Sequence, residues 1–144
     1  MSVAHILKAK GRDVITAGPS DTIKQTATTL AEKRIGAIVI LGAGGTIEGI
    51  ISERDIVRAV AKEGAASLDK PVSSIMTREV KHCAESDSEQ DLMALMTQHR
   101  IRHIPVVSGG KLAGMISIGD VVKFRIEQIE RDAEDMKAYI AGAA

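Results

Sequence analysis

Aromatic residues are almost missing from this chain of 144 residues, which has one tyrosine, one phenylalanine and no tryptophan. Tyr139 and Phe124 cannot supply the stacking platforms on which proteins hold single-stranded nucleic acid. Excess charge of either sign is also missing, because 19 lysines and arginines balance 19 aspartates and glutamates. No long-range field then steers the protein to nucleic acid or to an anionic membrane, and any anion site must be local.

Cysteine is represented by Cys83 alone, which excludes an intramolecular disulfide and a thiolate zinc site. A reducing compartment fits this usage, and we expect a cytoplasmic protein. No apolar run approaches the length that spans a bilayer, and the first residues lack the basic start and apolar stretch of a signal peptide. The chain length suits one module.

An internal repeat organises the chain, since Val14–Asp55 aligns with Val80–Asp120. Residues 49–52 (Gly-Ile-Ile-Ser) correspond to residues 114–117 (Gly-Met-Ile-Ser) at an offset of 65. The segments that lead into the two copies, residues 3–7 and 72–76, also resemble each other. The chain is therefore two copies of one unit.

The residue pattern of each copy predicts elements in the order strand, helix, strand, strand, helix. Aliphatic runs around glycine turns predict hairpins, and a second helix is predicted to start at Ser52 or Ser117. For the first helix of each copy we expect an N-cap from Ser20 or from Ser86 with Glu89, and Gly36 can end the helix in the first copy. Strands are predicted at residues 14–16, 38–41, 47–51, 80–82, 104–107 and 112–116.

Two such copies, each closing on Gly-apolar-apolar-Ser-x-x-Asp, resemble CBS repeats, whose paired form is called a Bateman module. The resemblance depends mainly on residues 72–77, 102–106 and 114–120. It implies an α/β fold of two β-α-β-β-α repeats packed about a pseudo-twofold axis, with a C-terminal amphipathic helix. The expected divisions are repeat 1 with its lead-in over residues 1–66, repeat 2 over 67–124 and the C-terminal helix over 125–144.

The resemblance also implies two clefts between the repeats that bind an adenine nucleotide such as AMP, ADP, ATP or NAD(H). A helix start with a serine hydroxyl can donate to phosphate, and an aspartate can accept from both ribose hydroxyls. The same Ser-x-x-Asp spacing is also that of a capping box, and the two roles are compatible.

One cleft is expected to combine Ser117 and Asp120 with the strand near Thr16, and the other to combine Ser52 and Asp55 with the segment around His82. Arg102 and His103 resemble a basic pair that reaches phosphates, although both could simply be solvated. The remaining candidate ligand residues are Ile38, Arg54, Ile104 and Pro105. Because Arg102 replaces Gly36 and Gly119 replaces Arg54 between the copies, we expect unequal clefts.

Other chemistries find little support. His99 and His103 have the spacing of a helical metal site, but the Ile-Pro step at residues 104–105 predicts that the helix ends first. His82 and Cys83 point to opposite faces of a strand and do not form a nucleophile with its base. We therefore expect no enzyme and no metal.

An apolar stripe runs along the C-terminal segment at alternating spacings of four and three. It predicts an amphipathic helix that packs on its own module or pairs with a second copy, and the resemblance favours a homodimer. The stripe consists of Val122, Ile126, Ile129, Ala133, Met136 and Ile140.

The leading function is a sensor that signals nucleotide binding to an unidentified regulated protein. The alternative is a structural dimerisation adaptor with empty or degenerate clefts.

Overall fold

The structure, a computed structural model, describes residues 2–143 and confirms the α/β architecture of two repeats followed by a C-terminal helical extension. The helices are α1 (Val3–Lys10), α2 (Ile23–Lys33), α3 (Glu53–Glu63), α4 (Glu89–His99) and α5 (Ile118–Ala143). The strands are β1 (Thr16–Ala17), β2 (Ala37–Leu41), β3 (Ile47–Ser52), β4 (His103–Ser108) and β5 (Lys111–Ser117). Short 3₁₀ turns cover residues 43–45, 65–69 and 72–74.

The two repeats form separate sheets of similar topology. In the first, β1 runs parallel to β2, which pairs antiparallel with β3. In the second, β4 pairs antiparallel with β5, and the place of a first strand is taken by a single parallel bridge from Cys83 to Val106. The extended segment predicted at residues 80–82 is therefore reduced to one bridging residue just beyond it.

Each repeat has its own core, and the lead-in of the other half completes that core. Val72 and Met76, which precede the second repeat, are buried with the aliphatic residues of α2, β2, β3 and α3. Val3, Ile6 and Leu7 of α1 are buried with those of α4, β4, β5 and α5. The sequence divisions grouped each lead-in with the repeat that follows it, whereas packing places it on the other repeat.

This exchange explains the glycine that opens each Gly-apolar-apolar-Ser-x-x-Asp motif. A Cβ atom on Gly114 would lie 2.6 Å from Cδ2 of Leu7. A Cβ on Gly49 would lie 2.7 Å from Sδ of Met76 and 2.9 Å from the carbonyl oxygen of Thr77. Each glycine thus leaves room for the lead-in of the other half.

The N-caps of α2 and α4 lie two residues beyond the predicted ones. Thr22 caps α2 and Ser88 caps α4, each in a capping box. The aspartates of the predicted Ser-Asp pairs instead close the preceding turns, because Asp21 accepts from Gly18 N–H at 3.0 Å and Asp87 from Ala84 N–H at 2.8 Å.

Two further helix-end expectations were wrong. Glu89 does not cap α4 but is buried in its first turn, where its Oε2 lies 3.5 Å from the Arg125 guanidinium. Gly36 does not end α2. Arg34 and Arg100 end α2 and α4 in the left-handed conformation, with φ of 53° and 52°.

The C-terminal helix is not a separate element, because α5 runs without a break from the second repeat to Ala143. Its 26 residues extend about 39 Å at the usual rise per residue. The apolar stripe does not pack on its own module, since Val122, Ile126, Ile129, Met136 and Ile140 are 51% to 61% exposed. Within residues 2–143, none of the helices has the length and apolar character to cross a membrane.

Candidate functional site

Both Ser-x-x-Asp motifs cap the helix that follows a hairpin. At α5, Ser117 N–H donates to Asp120 Oδ2 at 2.8 Å and Asp120 N–H donates to Ser117 Oγ at 3.2 Å. At α3, Ser52 N–H donates to Asp55 Oδ2 at 2.8 Å and Asp55 N–H donates to Ser52 Oγ at 3.3 Å. The capping role weighed from the sequence is therefore present in both repeats.

The α5 motif lines a surface cleft. That cleft has a volume of about 340 Å³, within the range of about 300 to 1,000 Å³ typical of small-molecule sites. It is bounded by the start of α5, the ends of α1 and α2, the segment before β1 and the edges of both sheets. Its lining residues are Lys10, Asp13, Val14, Ile15, Arg34, Ile35, Gly36, Ala37, His103, Met115, Ser117 and Asp120.

Lys10 is the closest ionic partner of Asp120. The Lys10 ammonium donates to Asp120 Oδ2 at 2.6 Å and to the carbonyl oxygen of Met115 at 2.7 Å. Lys10 is the last residue of α1, so the exchanged lead-in carries it onto the second repeat. The exchange therefore supplies the cation that pairs with Asp120.

The Asp120 carboxylate is held in its ionised form. Burial by itself raises the pKa of Asp120, but the hydrogen bond and charge of Lys10, together with the hydrogen bonds from Ser117, bring this pKa below its ordinary value. These hydrogen bonds use Oδ2, and within residues 2–143 no group donates to Oδ1. One carboxylate oxygen caps the helix, and the other is available to a ligand.

His103 forms another part of the wall, packed against Gly36. A Cβ on Gly36 would lie 2.8 Å from Cε1 of His103 and 3.1 Å from Oε1 of Glu53, so the glycine allows the imidazole to approach the backbone of β2. Burial lowers the pKa of His103, and the charge of Lys10 lowers it further, while Glu53 and Asp120 act in the opposite direction. The imidazole is consequently neutral near pH 7.

The structure brings three of the predicted site residues to this cleft, namely His103, Ser117 and Asp120. Thr16 does not line it, although Val14 and Ile15 just before it do. Ile38 and Ile104 follow the lining residues Ala37 and His103, so their side chains point to the opposite face of the strand and are fully buried in the cores. Pro105 is also buried.

The remaining predicted residues lie elsewhere. Ser52 and Asp55 cap α3 but line neither cleft. Arg54, His82 and Arg102 are exposed, and none of them lines the cleft at Asp120. The two aspartates therefore have different surroundings, although both cap a helix in the same way.

Sequence reasoning missed Lys10, Asp13 and Arg34. Arg34 reaches the cleft because it ends α2 in the left-handed conformation, which ordinarily favours glycine or asparagine. Lys10 and Asp13 lie between residues 3–7 and residue 14, outside the two stretches that the repeat covers. No repeated motif in the sequence marks a role for these three residues at a cleft.

The second cleft, of about 510 Å³, is a groove between α2 and α3. Its lining is mainly aliphatic and contains neither serine nor aspartate. Its chemistry suits protein side chains better than a nucleotide.

Cys83 offers no nucleophile, because burial and the charge of Asp87 raise the pKa of its thiol to about 12. Among the residues that the structure describes, no group of three or more His, Cys, Asp or Glu side chains could hold a metal ion.

Comparison with known proteins identifies the same architecture. The family model described as "CBS domain" matches residues 4–62 and 72–127. The crystal structure of the CBS-domain containing protein ATU1752 from Agrobacterium tumefaciens has 50% sequence identity and a TM-score of 0.85, over 87% of this chain and 99% of that chain.

Two similar structures contain adenosine compounds. The CBS domain protein PAE2072 from Pyrobaculum aerophilum, complexed with AMP, is 31% identical with a TM-score of 0.74, over 83% of this chain and 89% of that one. The CBS domain pair of protein MJ0100, in complex with 5′-methylthioadenosine and S-adenosyl-L-methionine, is 26% identical with a TM-score of 0.79, over 89% of this chain and 98% of that one.

Proposed function

The chain belongs to the CBS-domain family and carries two of its repeats, and from this premise we propose that it is a regulatory module that binds an adenine nucleotide in the cleft at Asp120. The observation that carries the proposal is the state of Asp120: an ionised carboxylate at a cleft, with one oxygen committed to the helix cap and the other unpaired among residues 2–143. The ribose hydroxyls of a nucleotide are donors suited to that free oxygen.

The rest of the cleft supports the other parts of a nucleotide. Val14, Ile15, Ile35 and Met115 supply apolar surface against which adenine can lie. Lys10, Arg34 and His103 supply donors for phosphate, beside the start of α5, where the helix dipole favours an anion. AMP, ADP, ATP and NAD(H) all carry the required adenosine and phosphate.

The proposed role is regulation rather than catalysis. The cleft lies between elements of both repeats, so a nucleotide that contacts α5, the end of α2 and the segment before β1 favours one relative placement of the repeats. A regulated protein, in the cytoplasm that the sequence predicts, would recognise this placement. In this role the module needs no reactive group of its own.

We also propose that the module is a homodimer. The stripe on α5 is exposed, and Val57, Val60 and Met93 are exposed on α3 and α4. From residue 129 to residue 142 every residue is exposed, and an isolated helical segment of this length is only marginally stable in water. Pairing with a second copy would bury the stripe. The same stripe favours the second candidate function, an adaptor that dimerises with its clefts empty.

A thermal-shift panel with AMP, ADP, ATP, NAD and NADH separates these two functions. A ligand that binds only the folded state stabilises it by about 2.7 kcal/mol at a concentration one hundred times its Kd. The sensor requires a higher Tm with at least one of these compounds. An unchanged Tm with all of them, at millimolar concentrations, would leave only the adaptor.

The variant Asp120→Asn then tests the site. Asparagine keeps an oxygen that can accept from Ser117 N–H, so the helix cap is retained while the charge is removed. We expect nucleotide affinity, measured by calorimetry, to fall about 10- to 100-fold, the range for losing a hydrogen bond to a charged group. Asp91→Asn is the matched control, because Asp91 holds the same capping position at α4 and lines neither cleft. Equal affinities for the two variants would remove Asp120 from the site.

A further inference from the structure

We propose that Lys10 makes the cleft at Asp120 selective for phosphorylated adenosine compounds over neutral or cationic ones. This inference rests on the proposed function and specifies its ligand class. It assigns a binding role to the last residue of α1, in a segment that belongs by sequence to the first repeat and by packing to the second.

The position of Lys10 is fixed by the buried face of its helix. Val3, Ile6 and Leu7 are at most 3% exposed, and Leu7 packs into the space left by Gly114. The backbone of α1 is tied to the second repeat as well, because Val3 N–H donates to Asp87 O at 2.8 Å. The ammonium of Lys10 is consequently held at the cleft instead of moving freely in solvent.

The hydrogen bonds of Lys10 leave capacity for a ligand. An ammonium has three donors, and two of them are used by Met115 O at 2.7 Å and by Asp120 Oδ2 at 2.6 Å. The side chains of Lys10 and Asp120 are 35% and 23% exposed, so their charges are less screened than those of a fully exposed pair. A third donor is therefore available to an anion in the cleft.

Of the other charged groups in the lining, Arg34 strengthens this preference once a ribose is bound, and Asp13 acts against it. The ribose hydroxyls are neutral donors, so Asp120 stays ionised and Lys10 keeps its partner. Arg34 also lines the cleft, and within residues 2–143 no carboxylate forms an ion pair with it. Asp13 is the second carboxylate in the lining. A phosphate can pair with the Arg34 and Lys10 cations, whereas a sulfonium in the same place meets two like charges.

The corresponding position of the other half carries the opposite charge. Leu7 packs at Gly114 as Met76 packs at Gly49, so the residue three places beyond each is Lys10 in one lead-in and Glu79 in the other. Asp55 correspondingly receives its side-chain and cap hydrogen bonds from Ser52, and no lysine in the described part of the chain pairs with it. Selection for phosphate is therefore a property of the Asp120 cleft, added to the repeat by one residue.

Calorimetry with AMP, adenosine, 5′-methylthioadenosine and S-adenosylmethionine tests the inference on the full chain and three variants. Lys10→Met keeps an unbranched side chain and removes the charge, Lys10→Arg retains the charge, and Lys8→Met removes an exposed lysine of the same helix that lines neither cleft. We expect the unmodified protein to bind AMP more tightly than the other three compounds. Lys10→Met should lose about tenfold or more in AMP affinity and much less in adenosine affinity. Lys10→Arg should recover most of the AMP preference, and Lys8→Met should retain all of it.

Several results would overturn the inference. If Lys10→Met weakens AMP and adenosine by the same factor, Lys10 serves only to orient Asp120. If the unmodified protein binds 5′-methylthioadenosine or S-adenosylmethionine as tightly as AMP, the selectivity is wrong while the proposed function stands. If no adenosine compound binds, the proposed function fails first. Circular dichroism and melting of each variant establish that it is folded. If Lys10→Met is unstable, the comparison of AMP with adenosine on the unmodified protein retains the test, since equal affinities for the two would overturn the inference.

Discussion

At the scale of single residues, the contact between His103 and Gly36 shows how the sheets of the two repeats share one site. The imidazole comes so close to Gly36 that a Cβ there would lie 2.8 Å from its Cε1 atom. Burial in this contact, followed by the charge of Lys10, lowers the pKa of His103. His103 therefore affects the free energy of unfolding of the protein without a ligand, and it also affects the polarity of the cleft.

The lowered pKa predicts a specific dependence of stability on pH. As the pH falls below the ordinary value of about 6.5, the unfolded chain takes up a proton at His103 before the folded protein does. The free energy of unfolding should therefore decrease over the window from about 6.5 down to the folded-state pKa. Above this window His103 is neutral in both states and makes no such contribution.

Urea unfolding at several pH values measures this effect. Because Asp120 and other groups also titrate, the informative quantity is the difference between the unmodified protein and His103→Gln. The loss of stability between pH 7.5 and pH 5.5 should be smaller in His103→Gln, while His99→Gln, which removes an exposed histidine of α4, should behave as the unmodified protein does. A larger loss in His103→Gln would contradict the sign of the pKa shift.

The residues of the cleft could be predicted from sequence where a repeated motif or the family resemblance marked them. Ser117 and Asp120 stand in a repeated motif with a fixed geometry at a helix start, and His103 belongs to the basic pair that the resemblance implies. Lys10 and Arg34 lacked such a signal, because their places at the cleft depend on the crossing of α1 and on the left-handed end of α2. A sequence pattern records local spacing and carries little information about which distant segments meet.

At the scale of elements, the lead-ins determine how well each repeat is packed. Gly49 and Gly114 leave room for the lead-in side chains, but the two contacts differ in what an added methyl group would meet. At Gly114 the nearest atoms belong to the side chain of Leu7, whereas at Gly49 they include the backbone carbonyl of Thr77 at 2.9 Å. A side chain can change rotamer, and a backbone carbonyl in a bridge with Ile50 cannot easily move.

We therefore expect Gly49→Ala to destabilise the protein by about 1 to 3 kcal/mol, the usual cost of overpacking, and Gly114→Ala to cost less. Gly119→Ala is the control, since a Cβ there would lie 3.6 Å from its nearest neighbour, at ordinary contact distance. Denaturant unfolding gives all three values. If Gly49→Ala were as stable as Gly119→Ala, the close approach of the lead-in would not be what requires glycine.

The hydrophobic pattern predicted the order and type of the elements apart from the strand expected at residues 80–82, which is reduced to one bridge, whereas the caps required more. Thr22 with Gln25 and Ser88 with Asp91 form the capping boxes of α2 and α4, although Ser-Asp pairs two residues earlier looked equally suitable. Both candidates satisfy the same local chemistry. The segment that crosses over from the other half bonds to the chain just before the capped helix, as in the hydrogen bond from Val72 N–H to Asp21 O at 2.8 Å, and this contact favours the later cap.

At the scale of the whole molecule, the exposed stripe of α5 predicts association. Ile129→Glu places an acidic group in the middle of the stripe, where burial against a second copy would leave the charge unpaired. We expect the mass measured by light scattering at micromolar concentration to change from twice the chain mass to 15.3 kDa. Arg131→Glu, on the polar side of the same helix, should leave the dimer intact. A monomer mass for the unmodified protein would remove the homodimer from the proposal.

The crossing of the lead-ins has a consequence for the integrity of the chain. A single cut in the connection between the repeats would yield two fragments, each holding a segment that covers the hydrophobic core of the other. Because each fragment lacks residues that complete its own core, we expect neither to fold alone, and we expect the two to fold when they are mixed. In the intact chain the connection keeps the two halves close to each other, and the crossed lead-ins determine how they pack.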